Sequence, residues 1–300
     1  MIKSYQELLA AVRALPPKRV AVAAAQDDAV LEAVQGAKAQ GLADFVLVGD
    51  KTKIQNLADR MDISLADLTV VHEPDDRKAA FHAVSLVSRG EADVLMKGLI
   101  GTADLLRAVL DKEVGLRTGR VLSHAAAFEV ASLNRLLIVT DGGMNINPTL
   151  QQKADIIQNS VALAKTLGIT PAKVAVLAAV ELVNPDMPAT MEAAALAKMA
   201  ERGQIKGAIV DGPLALDNAI SEEAARHKGI NSPVAGLADI LLVPDIEAGN
   251  MLVKSLVYFG GSKLVGLVLG AAKPVVVTSR ADSHEAKILS IALGVLSGHQ

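Results

Sequence analysis

The feature that most constrains this chain is a rhythm in which short, unbroken runs of Val, Ile, Leu and Ala recur, separated by longer segments of helical period. A strand with one wet face alternates apolar and polar residues, so an unbroken apolar run reads as a strand buried on both faces. Such runs fall at Arg19 to Ala24, Phe45 to Val48, Thr69 to Val71, Val94 to Met96 and Leu136 to Thr140, and again at Val174 to Leu177, Ala208 to Val210, Ile240 to Val243, Leu264 to Val268 and Val275 to Thr278. The segments between them, among them Asp27 to Gln40, Leu150 to Leu167, Met187 to Arg202 and Ser283 to Leu296, predict helices. Parallel neighbours need crossover connections, which helices supply, so this alternation predicts α/β architecture with mostly parallel sheets.

At 300 residues the chain exceeds what one hydrophobic core ordinarily serves, which predicts two domains with a ligand cleft between them. The changes of domain are placed near Asn134 and Pro274, giving a first domain of residues 1–133 plus 275–300 and a second of 134–274. With four phenylalanines, two tyrosines and no tryptophan, the core must be aliphatic and stacking platforms for bases are scarce. A net charge of -3 offers no basic excess for a phosphate backbone, so nucleic acid is excluded as a partner. The apolar stretches from Ser160 to Val183 and Met251 to Thr278 are broken by Lys165, Lys173, Lys254, Lys263 and Lys273, so none reads as a membrane span. The first twenty residues read as an amphipathic helix ending at Pro16-Pro17, not as a secretory signal, and the expected location is the cytoplasm. With no cysteine there is no disulfide and no protein thiol; any thiol chemistry arrives with a substrate.

In open α/β sheets ligands bind past the carboxyl ends of the strands, so the loops there are the candidate site. Six of them mix Gly or Pro with polar residues: MKGLIGT from Met96, TDGGMNINPT from Thr140, VDGPLALDNAI from Val210, NSPVAG from Asn231, PDIEAGN from Pro244 and TSRADSHE from Thr278. In the last, a strand delivers Ser279 and Arg280 to the start of a helix, a place that favours anions; the alternative is that both merely cap and cover that helix. Asp282 and Glu285 have the spacing of a capping box, with Glu285 kept open as a proton acceptor. Lys97, followed by Gly98 and Gly101, is either a phosphate-facing lysine or a solvated charge, and Thr102 is the expected cap of the next helix. Asp211, Gly212 and Pro213 read equally as a tight turn, Asn145 and Asn147 before Pro148 as chain turns, and Asp217 as a helix cap. His124, in LSHAAAF after Ser123, is either a packing residue or a ligand contact. There is no GxGxxG and no HExxH, so neither a Rossmann dinucleotide site nor a metal site is expected.

Taken in order, MKGLIGTADLLRAVL, NINPT, DGPLALDNAI, NSPVAG, PDIEAGN and TSRADSHEAKILSIAL resemble the phosphate acetyltransferase and butyryltransferase family over Asp93 to Gly294, the butyryl branch more closely because of Ser-Arg-Ala-Asp-Ser. The resemblance implies a two-domain, three-layer α/β/α protein with a fold like that of isocitrate and isopropylmalate dehydrogenases, forming a homodimer. It implies interconversion of short-chain acyl-CoA plus phosphate with acyl phosphate plus coenzyme A, butyryl or alternatively acetyl. Coenzyme A enters as substrate, with no permanently bound cofactor and no metal. The arginine's role of holding the phosphoryl group carries over to Arg280, and the serine's role of assisting the thiol to Ser279. Substrate and coenzyme A contacts are expected at Lys97, Thr102, Ser123, His124, Asn147, Pro148, Asp211, Gly212, Pro213, Asn231, Asp245 and Asn250. The acetyl branch places a proposed aspartate base seven residues after the serine; here that position is Ala286, which leaves Glu285, a water or phosphate itself to take the proton. Alternatives from other classes are a dehydrogenase or carrier-protein acyltransferase of the same fold group, and a silent sensor of acyl-CoA or acyl phosphate.

Overall fold

The computed structural model describes residues 1–130, 132–279 and 282–299. The chain forms two compact units: a flanking unit of Tyr5–Arg120 with Val265–Gln300, and a central unit of Met1–Ser4 with Val121–Leu264.

The flanking unit begins with helix α1 (Tyr5–Arg13), strand β1 (Lys18–Ala23), α2 (Asp28–Ala39), β2 (Ala43–Gly49), α3 (Lys51–Arg60), β3 (Thr69–His72), α4 (Asp76–Ser88), β4 (Val94–Lys97) and α5 (Thr102–Val109). In the central unit follow β5 (Ser123–Glu129), β6 (Leu136–Thr140), α6 (Leu150–Thr166), β7 (Ala172–Leu177), α7 (Pro188–Glu201), β8 (Ala208–Leu214), α8 (Leu216–Ile220), α9 (Glu222–His227), β9 (Ile240–Leu242) and α10 (Ile246–Tyr258). The chain then returns to the flanking unit as β10 (Val265–Leu269), β11 (Val275–Val276) and α11 (His284–Ser297).

In the flanking unit the strands lie in the order β3-β2-β1-β4-β11-β10, parallel except for the β10–β11 pair. The connections from β1 to β2 and β3 run to one side, and α4 then carries the chain back past β1 to β4. Right-handed crossovers running in opposite senses put their helices on opposite faces, so β1 and β4 form a topological switch point. The contacts agree, with α2 packing on α11 and α11 on α1, while α4 packs on α5. Helix α11 is buried from Ala286 to Leu296, apolar but for Lys287 and Ser290, as befits a central helix.

The central unit has the order β5-β6-β9-β7-β8, parallel except for β5 against β6. The mostly parallel α/β architecture stands, and ten of the eleven strands fall on the predicted runs. The missed strand is β5, whose SHAAAFE carries three alanines where strands prefer β-branched residues. Because β5 pairs with β6 through a short hairpin, the chain divides at 120/121, against the expected 133/134; because β10 pairs with β11, it returns at 264/265, against 274/275.

Candidate active site

At the switch point of the flanking unit, the last residue of β4 is Lys97, half-buried, its Nζ donating to the Gly98 carbonyl at 3.2 Å. The chain then presses against the end of β1: Gly98 N donates to Ala23 O at 2.8 Å and Leu99 N to Ala24 O at 2.6 Å. A Cβ on Gly98 would lie 2.2 Å from Ala24 O and 2.5 Å from Ala23 O, so only glycine fits. Ala24 itself is buried in the left-handed region at φ 55°, which turns its carbonyl onto this loop. Lys97, Gly101, Thr102, Arg77, Asp76 and Asp104 border a hollow of about 430 Å³. Thr102 is exposed at the first position of α5, not its cap; Gly101 holds the cap position and makes no side-chain bond there. Asp104 pairs with Arg77 at 3.3 Å and with Arg107, and buried Gln26 ties Asp76 to Asp50, donating to the former at 2.6 Å and accepting from the latter's N–H at 3.3 Å.

Strand β11 lies parallel to β4, with Val276 opposite Met96, so Lys97 and Ser279 leave the sheet at the same edge. Ser279 is exposed, and its N–H donates to the Asp282 carboxylate at 2.6 Å while Asp282 N–H returns a bond to Ser279 O at 3.2 Å. The predicted capping box does not form, because Ser283 is the cap of α11, its Oγ accepting from Ala286 N–H at 3.2 Å, and Asp282 is turned back to Ser279. Glu285 is exposed in the first turn, and Ala286 is packed into the core. Arg280 lies outside the described residues.

In the central unit a second group gathers at the end of β6. Asp141, almost fully buried, accepts from the N–H groups of Gly143, Met144 and Asn145 at 2.9, 3.0 and 3.3 Å, and from Asn145 Nδ2 at 2.6 Å. Asn145 Nδ2 also donates to Leu122 O at 2.8 Å, fastening this loop to the start of β5. There His124 is half-buried, its carbonyl accepting from Thr140 Oγ1 at 2.9 Å and its ring against Gly143, whose added Cβ would sit 3.3 Å from Cγ. Ser123 is fully buried, its Oγ accepting from Asn159 Nδ2 at 3.1 Å, so it ties β5 to α6. Asn147 is exposed and Pro148 buried, just before the Thr149 cap of α6. Asp245 caps α10, accepting from Ala248 N–H at 2.8 Å, and Asn250 Nδ2 donates to Gly142 O at 3.3 Å. Gly142 and Gly249 face each other so closely that a Cβ on Gly249 would lie 2.7 Å from Gly142 Cα.

Asp211, Gly212 and Pro213 do not form a turn past a strand. Strand β8 runs through them with a register shift against β7, and an edge strand admits proline because no ladder N–H is lost inside the sheet. Asp211, Gly212 and Asn231 instead border a separate hollow of about 590 Å³ beside α7. Asp217 is not a cap either; Ala215 holds that position, and the exposed Asp217 carboxyl is held below its ordinary range by Lys228 and the Asn218 N–H. Sequence reasoning gave Asn145 only a turn role and missed Asp141, Gln26 and Arg77. For Asp141 a signal existed, since Asp followed by Gly-Gly is turn chemistry; Gln26 and Arg77 carried none.

An α/β fold with glycine-tightened polar loops at its strand ends is an architecture that binds small molecules at those ends. Residues 4–82 and 66–295 match the family described as "Phosphate acetyl/butaryl transferase", and the chain belongs to that family. It is 54% identical over 296 residues to phosphate butyryltransferase of Clostridium acetobutylicum, covering 99% of this chain and 98% of that one. It is 50% identical to phosphate acetyltransferase of Thermotoga maritima, over 93% of this chain and 95% of that one. A branched-chain phosphotransacylase from Enterococcus faecalis V583 superposes with a TM-score of 0.83 at 36% identity, covering 94% of this chain and 99% of that structure.

Proposed function

We propose that this chain interconverts butyryl-CoA plus phosphate with butyryl phosphate plus coenzyme A, in the cytoplasm and as a homodimer. The observation that carries this is the near full-length likeness, at 54% identity, to an enzyme named phosphate butyryltransferase. Acetyl is the second choice, supported by the 50% identity to a phosphate acetyltransferase.

A thiol of ordinary pKa, about 8.5, is only a few per cent thiolate at neutral pH, so the site must favour the anion before it reacts. The thiolate sulfur attacks the acyl phosphate carbonyl, the carbon–sulfur bond forms, and the carbon–oxygen bond to phosphate breaks with phosphate taking the electron pair. In this proposal Ser279 polarises the thiol, Arg280 with Lys97 binds the phosphoryl group, and Glu285 or phosphate takes the thiol proton. The cationic groups act where negative charge develops, which is where binding energy lowers the barrier.

Homodimer formation is supported by Met251, Tyr258 and Phe259, which expose 64, 70 and 92% of their surface at α10 and its end. Among the described residues no helix is long and apolar enough to cross a membrane.

Thiol release from butyryl-CoA that requires phosphate tests the function, and repeating it from acetyl to longer acyl groups ranks the chain lengths. No phosphate-dependent release from any acyl-CoA would leave a binding protein. Arg280→Gln should raise the phosphate KM and lower kcat together, and unchanged kinetics would remove Arg280 from the site. Glu285→Gln should lower kcat by about 100-fold if Glu285 takes the proton, and leave it unchanged if phosphate does.

A further inference from the structure

We propose that Lys287 is a positioning residue for Ser279, acting through Asp282; the idea rests on the placement of Ser279 in the acyl-transfer site. Lys287 stands in the first turn of α11 and is only 4% exposed, an unusual setting for an ammonium group. Its Nζ donates to the backbone carbonyl of Asp282, and among the described residues that carbonyl is its one partner, with no carboxylate in ion-pair reach. A charge buried without an opposite charge is costly, so a neutral side chain of similar length would suit this helix better on stability alone.

What the ammonium does is local. Asp282, held by its carbonyl, turns its carboxylate onto the Ser279 N–H at 2.6 Å, and its own N–H binds Ser279 O at 3.2 Å. Ser279 is thereby held at two backbone atoms by a residue that Lys287 anchors to the most deeply buried helix of the unit. The helix is itself immobilised: a Cβ on Gly294 would lie 2.7 Å from Val276, and one on Gly36 of α2 would lie 2.6 Å from Ile288. The exposed serine thus inherits the rigidity of the core through one buried lysine. A reacting group displaced by about 1 Å loses on the order of 100-fold in rate, which is the scale on which such an anchor matters.

The test measures amide hydrogen exchange of residues 279–283 together with steady-state kinetics, in the full chain, for wild type, Lys287→Met and Asp282→Ala. Methionine keeps the length of the stem and removes the charge. Both variants should exchange faster at 279–283 with the remainder of α11 unchanged. The thermal midpoint should match wild type for Asp282→Ala and be no lower than wild type for Lys287→Met, kcat should fall by about 10- to 100-fold in both, and the acyl-CoA KM should stay within about twofold. Wild-type exchange at 279–283 in both variants, or acceleration spread over all of α11, overturns the proposal. If Lys287→Met does not fold, Asp282→Ala, at a partly exposed site, decides by the same measurement. The exchange data need no catalysis, so an inactive wild type or a fully active Ser279→Ala counts against the acyl-transfer site alone.

Discussion

Two loops at strand ends solve the same problem by opposite means. In the central unit the TDGGMN loop is gathered by a side chain, with the Asp141 carboxylate drawing in three backbone N–H groups and an amide. In the flanking unit the KGLIG loop is fastened to the neighbouring strand end by backbone bonds, Gly98 and Leu99 donating to the carbonyls of Ala23 and Ala24 across a gap no Cβ fits. A loop held by a side chain keeps its shape only while that acceptor is present. One held by backbone keeps it only while nothing is added.

The contrast is broken most directly by Gly98→Ala. The new methyl would press on two backbone carbonyls of a buried strand end that cannot rotate away, and the expected loss is about 3 kcal/mol or more in urea unfolding, with Lys97 displaced and phosphate KM raised. Next comes Asp141→Ala, which strands buried donors and should cost about 2 to 3 kcal/mol. Here kcat should fall more than KM rises, since the loop carries Asn147 and Pro148. If Gly98→Ala proves milder than Asp141→Ala, the backbone-held loop is the softer of the two.

Asp245→Ala removes the cap of α10 and should cost about 1 kcal/mol, because the helix remains packed through Gly249 and Val253. The smallest effect sharpens the side-chain half of the comparison from the other end of the sheet. There Asp239 accepts from Lys173 N–H at 2.8 Å, yet burial pushes its carboxyl above the ordinary value against the pull of that bond and of Arg135. A carboxyl raised in the folded state contributes stability that is present below the unfolded value of about 3.9 and lost as pH rises through the folded value. Asp239→Asn should therefore flatten the pH dependence of unfolding just above pH 4. A wild-type curve with no such fall would show that the N–H bond outweighs burial.

The α/β rhythm was legible because strands buried on both faces must be apolar throughout, and each such run became a strand. Strand β5 escaped because its alanines have no strand signature; antiparallel pairing with β6 recruits it. The six polar loops were legible as a set, yet their roles were not. Asp282 looked like a cap until Ser283 took that position, and Asp-Gly-Pro looked like a turn until β8 ran through it.

The sequence by itself determined the α/β architecture and the family, because period, composition and motif order are properties of the chain taken in line. Only the tertiary structure decided which groups hold which. The acceptors of Asn145, Gln26 and Arg77 lie 23, 50 and 27 positions away, a distance over which spacing carries no information. Lys287, five residues from its acceptor, is near enough in sequence, but only burial shows its charge to be held by a carbonyl and by no carboxylate among the described residues.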